Sequence, residues 1–196
     1  MSEHAPSYEL SGDEMSREDL VVLLDAYGIS CDEWGMKGSK TPEDLLTEIS
    51  EGETTLEDRE GVLVRIVDGV GLHVFASMDG HMYKLREDRQ VFKRDGTIRR
   101  RGLSTSLGEK IKKDETVVQA MVRALSEELG ILVSEEAMTV GETSREMVES
   151  DAYPGIMTDR GLTYCVVTLT QAHVRPEGYV ERQPDKDNFF VWELIA

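Results

Sequence analysis

One amphipathic helix interrupts a chain that is otherwise patterned for strands, and this limits the folds open to it. Over about residues 116–129, Val118, Met121, Val122, Leu125 and Leu129 fall on one side at about 100° per residue, and Gly130 follows as a stop. On either side the hydrophobic period drops to two. Strands are predicted at Val62–Val67, Leu72–Ser77, His81–Leu85, Arg89–Lys93 and Thr97–Leu103 before the helix. After it they are predicted at Met138–Glu142, Thr163–Thr170 and Asn188–Ile195. Asp-Gly pairs at 68–69, 79–80 and 95–96 read as turns, the last of them the strongest hairpin signal in the chain. Asp151–Arg160, with Pro154-Gly155, reads as a loop. Sheet, one buried helix, sheet again is an α+β layout, the α/β/α sandwich type.

Two shorter helices precede the strands. Ser16 offers a cap for a helix over 16–28 that Gly28 ends. Thr41 caps a second over 41–51, with Pro42 at a position where a missing N–H costs nothing. The predicted organisation is therefore a disordered leader at 1–15, a helical segment at 16–56 and a main domain at 57–196. At 196 residues with 39% hydrophobic content, the chain has ample length to bury a core. No apolar run reaches the roughly 18–20 residues of a membrane helix, and Met1 to Glu14 lacks the layout of a secretory signal. Cys31 and Cys165 are far apart with no partner motif, so the expected setting is the reducing cytoplasm.

Charge is unevenly spread. The net charge is −17, yet residues 84–113 hold 11 of the 22 Lys and Arg against four acids. That window is +7 and the remainder −24. Such a basic island can focus a small anionic ligand, while the acidic bulk argues against a nucleic-acid polymer or a membrane surface as partner.

The helix end carries the chemistry. Glu127 and Glu128 are expected to point away from the apolar stripe, about one hundred degrees apart. Adjacent carboxylates at a helix C-terminus oppose the macrodipole, and a hard divalent cation would resolve that conflict. Glu115, eight residues before Arg123, is placed for an ion pair two turns along.

Gly108, Glu115, Arg123, Leu125, Glu127, Glu128, Gly130 and Ile131 together resemble the Nudix box, G-x5-E-x7-R-E-U-x-E-E-x-G-U, where U is aliphatic. One extra residue separates Gly108 from Glu115, and Ala124 stands where the box has a glutamate. The resemblance implies a Nudix fold with a mixed sheet, the box helix at about 116–129, and hydrolysis of a nucleoside diphosphate linked to another moiety. It further implies Mg²⁺ or Mn²⁺ held by Glu127 and Glu128, Arg123 orienting a carboxylate, Glu115 bracing loop and helix, and Gly108 and Gly130 permitting the turns at either end. The chain is also similar to uncharacterised Nudix-like proteins of cyanobacteria and plants in Trp34-Gly35, Lys40-Thr41, Leu45-Leu46, Glu87-Asp88-Arg89-Gln90, Arg100-Arg101, Gly108-Glu109-Lys110, Tyr153-Pro154-Gly155 and Gly178-Tyr179-Val180-Glu181.

Ala124 removes a carboxylate that many family members use as metal ligand or general base, and losing a base costs a factor of about 10²–10⁴. Asp151, Asp159, Glu177 and Glu181 are the candidate replacements. Arg99, Arg100, Arg101 and Lys110 are the candidate phosphate-binding residues, with Arg99 and Arg101 on one strand face and Arg100 on the other. Trp34 and Trp192 are expected as core anchors. His73 and His81 lack ligand spacing. The first functional expectation is a divalent-metal-dependent hydrolase of a diphosphate-containing small molecule. The alternative is a catalytically weak or inactive ligand-binding or interaction module. A third reading, an isoprenyl diphosphate isomerase, would need a reactive cysteine, and Cys165 lies in an apolar strand instead. Oligomeric state is left open, with a homodimer the common expectation.

Overall fold

Both N-terminal helices form where the caps predict. In the computed structural model, which describes residues 15–36 and 38–195, helix α1 spans Arg17–Ala26 and α2 spans Pro42–Ser50. Each starts with a reciprocal capping box, Ser16 with Asp19 and Thr41 with Asp44, which satisfies amides that a helix start leaves open. The leader expected at 1–15 lies, apart from Met15, outside the described residues.

Strand β1 (Thr55–Arg59) is followed by β2 (Val62–Met78), β3 (His81–Phe92), the short β4 (Ile98–Arg99) and β5 (Leu107–Lys110). Helix α3 (Val117–Ala124) comes next, then β6 (Met138–Glu149), β7 (Met157–Leu169), β8 (Tyr179–Arg182) and β9 (Lys186–Leu194). A sheet and a few helices make the chain α+β, as the patterning predicts. Hydrogen bonding orders the main strands β6-β7-β2-β3-β9-β8. Among the described residues no helix is long and apolar enough to cross a membrane.

Several strands are longer than predicted. The two strands expected around Asp68-Gly69 are one, because that pair lies inside β2 and forms no turn. The glycines of this stretch serve close approach instead. A Cβ on Gly69 would stand 3.1 Å from the Glu109 carbonyl oxygen, and one on Gly71 would stand 2.8 Å from the Thr105 methyl. Asp79-Gly80 does form the two-residue turn between β2 and β3, with Met78 paired to His81. Asp95-Gly96 lies in the hairpin that pairs Val91 with Ile98, but β4 covers only two residues of the strand predicted at Thr97–Leu103. Part of the loop predicted at Asp151–Arg160 belongs to β7. Strands β1, β5 and β8 have no counterpart in the prediction.

The chain divides into two compact units. The first takes the described residues up to Asp68 together with Lys110–Asp114 and Ser144–Gly161, and the second takes Gly69–Glu109, Glu115–Thr143 and residues from Leu162 onward. The core of the first gathers Leu20, Leu24, Leu45, Ile49, Leu56, Leu63, Tyr153 and Ile156. Trp34 is an anchor there, as expected: it is buried, its ring lies 5.2 Å from Tyr153, and its Nε1 donates to the Pro154 carbonyl at 3.0 Å. The second buries Leu72, Val74, Leu85, Met121, Leu125 and Val167, and also Cys165, whose thiol burial pushes up from its ordinary range. Trp192 is only half-buried, with Nε1 donating to the Arg175 carbonyl at 2.8 Å. Both cysteines are free.

Candidate functional site

The site is assembled around α3 in the second unit. Thr116 caps the helix by accepting from the Gln119 amide, while the Gln119 side chain reaches back to the Thr116 amide. Val117–Ala124 is α-helical, but Leu125–Leu129 closes as a π turn, so the helix expected as continuous over 116–129 changes its bonding at Leu125. Gly130, at φ 65°, ends it in the left-handed region that a side chain disfavours. Gly108 makes no such turn and sits within β5.

The π turn decides where the two carboxylates point. Bonding from i to i+5 inserts a residue into the turn and rotates the side chains beyond it relative to ideal α geometry. Glu127 faces solvent as expected, 3.6 Å from Arg123 Nη1. Glu128 does not. Its Oε1 is fully buried and has no hydrogen-bond partner. Ala124 is fully buried as well.

Arg123 is the organising cation. Its Nε and Nη2 donate to the two oxygens of Glu115, both at 3.0 Å, and its Nη1 lies 3.3 Å from Glu109. This planar fork ties the residue before the helix cap to the second turn. Held among three carboxylates, the guanidinium stays charged.

Around Glu128 the environment is acidic. Burial does most to push its carboxyl up to about 9, the charges of Glu181, Glu109 and Glu87 add to that, and Arg101 offsets part of it. Strand β8, which carries Glu181, packs against the π turn. Glu181 Oε2 accepts from Asn188 Nδ2 at 2.5 Å and Oε1 from Gln183 Nε2 at 2.6 Å. Asn188 Oδ1 accepts in turn from Gln90 Nε2 at 3.0 Å. Arg101 forks onto Glu87, with Nε 2.9 Å from Oε1 and Nη2 on Oε2.

Of the predicted site residues, Arg123, Glu127 and Glu128 lie at the C-terminal end of α3, Glu115 reaches Arg123 from before the helix start, and Arg101 acts on Glu128 electrostatically. Arg99, paired with Gln90 across β3 and β4, and Arg100 are exposed. Lys110 belongs to the first unit, with its ammonium 2.8 Å from both Glu48 and Glu53. It bridges those two carboxylates. Asp159 is taken up by Arg59 and Arg145, and Asp151 and Glu177 are exposed. Among the candidate replacements for a carboxylate at position 124, Glu181 is the one whose charge acts on Glu128.

Sequence reasoning missed the roles of Glu87, Gln90, Glu109 and Asn188. Three of them lie in the short segments Glu87-Asp88-Arg89-Gln90 and Gly108-Glu109-Lys110, which sequence reasoning singled out without giving these residues a role. The missing information was that β3, β8, β9 and the π turn converge. Among the described residues no group of three or more His, Cys, Asp or Glu side chains is arranged to hold a metal ion by itself.

No family model matches the chain. No curated protein matches it either. Solved structures do resemble it at a distance. An Ap4A hydrolase from C. elegans is 16% identical over 65% of this chain and 79% of its own, with a TM-score of 0.33. A MutT/nudix family protein from Enterococcus faecalis is 10% identical over 65% of this chain and 43% of its own, at 0.44. A MutT NUDIX hydrolase from Burkholderia pseudomallei is 20% identical over 65% and 81%, at 0.40. Likenesses this distant assign the chain neither a family nor an activity, so the functional reading rests on its own residues.

Proposed function

We propose that the chain is a Nudix-type hydrolase that uses Mg²⁺ or Mn²⁺ to cleave a phosphorylated small molecule bearing a diphosphate, with Glu128 at the centre of its site. One observation carries this reading: Glu128 Oε1 is buried and has no hydrogen-bond partner, on a carboxyl that the charges of Glu181, Glu109 and Glu87 push up further. Leaving a buried polar atom unsatisfied costs roughly 1–3 kcal/mol. Natural sequences keep such costs mainly where function needs them. Hard oxygen donors such as these carboxylates suit a divalent cation.

Glu128 would hold the cation, which when bound supplies Lewis-acid polarisation of a phosphoryl oxygen, and Glu127 would meet it only from the solvent side. Arg123 fixes the end of α3 by holding Glu115, Glu109 and Glu127. Arg101 acts electrostatically on Glu128, and Arg99 and Arg100 are exposed, where guanidinium forks would suit phosphate oxygens. Without a cation, Glu128 holds a proton near neutral pH, which is how a buried carboxyl avoids an unpaired charge.

The test is release of phosphate or nucleotide from a panel of diphosphate-linked compounds with Mn²⁺, comparing the unmodified chain with Glu128→Gln. Activity that falls by about 10²–10⁴ in the variant supports the hydrolase. Equal activity in both removes Glu128 from the chemistry and ends this reading.

A second reading, a ligand-binding or interaction module with little or no catalysis, is favoured by Ala124. Its methyl is fully buried, so no carboxylate can enter from position 124 without burying a charge. Mn²⁺ and nucleotide binding without turnover would select it.

A further inference from the structure

A row of polar side chains crosses three adjacent strands at one level of the second unit. Gln90 on β3 is the register partner of Asn188 on β9, and Asn188 is the register partner of Glu181 on β8. Residues opposite each other in an antiparallel pair project from the same face. Gln90 and Asn188 are buried at 3% and 4% exposure, where a sheet ordinarily places apolar side chains. A buried amide pair contributes less to packing than apolar residues of the same shape, so its presence calls for a task.

The row has a direction. Gln90 Nε2 donates to Asn188 Oδ1, which leaves the Asn188 amide nitrogen only one way to face, toward Glu181 Oε2. Gln183 holds the other Glu181 oxygen. Both oxygens of Glu181 are thus fixed by neutral amides, and β8 presents this carboxylate to the π turn that carries Glu128, whose buried Oε1 has no partner.

Resting on the hydrolase reading above, we propose that Glu181 is the cation-binding carboxylate that makes up for Ala124, and that Asn188 and Gln90 are positioning residues that aim it at the space beside Glu128. The box helix then supplies one side of the site and β8 the other. Asn188 touches neither cation nor substrate and acts through Glu181. Partners in this indirect position typically alter metal affinity 10–100-fold when removed.

The experiment is a Mn²⁺ titration of the full chain, followed by electron paramagnetic resonance of the free ion, on Glu128→Gln, Glu181→Gln, Asn188→Leu and Gln90→Met. Each variant's thermal midpoint is measured alongside. Glu128→Gln and Glu181→Gln should each lose Mn²⁺ binding. Asn188→Leu should weaken it 10–100-fold, and Gln90→Met, which leaves the Asn188–Glu181 contact in place, should weaken it less. A row that serves only the sheet would lower the thermal midpoint and leave the Mn²⁺ affinity of the folded protein alone. That result in Asn188→Leu, or in Gln90→Met should Asn188→Leu not fold, overturns the proposal. The two levels of inference fail differently. Unaltered Mn²⁺ binding in Glu128→Gln removes the site itself, whereas loss in Glu128→Gln with normal binding in Glu181→Gln removes only the role of Glu181 and its row.

Discussion

Glu48 in the first unit and Glu128 in the second are glutamates withdrawn from solvent on helical segments, yet they are wired in opposite ways. Around Glu48 stand three cations: Lys40 Nζ at 2.5 Å and Lys110 Nζ at 2.8 Å from Oε1, and Arg65 Nη2 at 2.6 Å from Oε2. Burial by itself would push the Glu48 carboxyl up, but the hydrogen bonds from Lys110 and Lys40 and the charge of Arg65 outweigh it and hold it at about 2. Around Glu128 stand Glu181, Glu109 and Glu87 against a single nearby arginine, one oxygen is left unpartnered, and the carboxyl is pushed up to about 9. Burial penalises both ions, so the neighbours decide. A buried charge whose partners are complete is structure. One whose partners are missing is a place for a ligand.

The largest effect that tests this contrast is the removal of Glu48. Glu48→Ala leaves Arg65 and its companions without their shared anion, and breaking a buried pair in this way costs about 3–5 kcal/mol. Thermal unfolding should then move down by roughly 10 °C or more. Glu128→Gln, in the cation-free protein, should cause no such loss. A drop of equal size in both variants would break the comparison.

Acid titration comes next. The Glu48 carboxyl is depressed in the folded state, so its contribution is fully present above its ordinary value near 4.5 and is lost as pH falls through about 2. The contribution is on the order of 3 kcal/mol. Urea unfolding of the unmodified chain should weaken across that window, and Glu48→Gln should lack this part of the slope.

Adding Mn²⁺ probes the other half of the contrast. A cation that binds only the folded state at 100 times its dissociation constant adds about 2.7 kcal/mol. The thermal midpoint should rise in the unmodified chain and in Lys40→Gln, and stay fixed in Glu128→Gln. A rise in Glu128→Gln would place the cation elsewhere. The smallest effect belongs to an exposed pair. Arg160 and Glu146 are ion-paired with each side chain 54% exposed, so Arg160→Gln should change stability by less than about 1 kcal/mol in urea unfolding. A larger loss would mean that ion pairing alone, without burial, supports the first unit.

Local rules carried most of the sequence reading. The two capping boxes, the stop at Gly130, the turn at Asp79-Gly80 and the fork between Glu115 and Arg123 are each written within eight residues of chain, where spacing converts directly into geometry. The same rules misread Asp68-Gly69, because its glycine serves the approach of a distant backbone segment. Ideal helical spacing likewise could not anticipate the π turn, and with it the inward aim of Glu128. Nor could spacing show that Lys110 pairs with Glu48 and Glu53, more than fifty positions earlier.

By itself, then, the sequence determined the class of fold, the start and stop of the principal helices, and the pairing of Glu115 with Arg123. Tertiary structure alone decided which glutamate is satisfied and which is not. The reason is physical: a carboxylate's state depends on the charges and dipoles within a few ångströms, and around Glu128 these come from residues 87, 101, 109 and 181. Their convergence is a property of strand pairing and of one widened helical turn, which no single stretch of sequence contains.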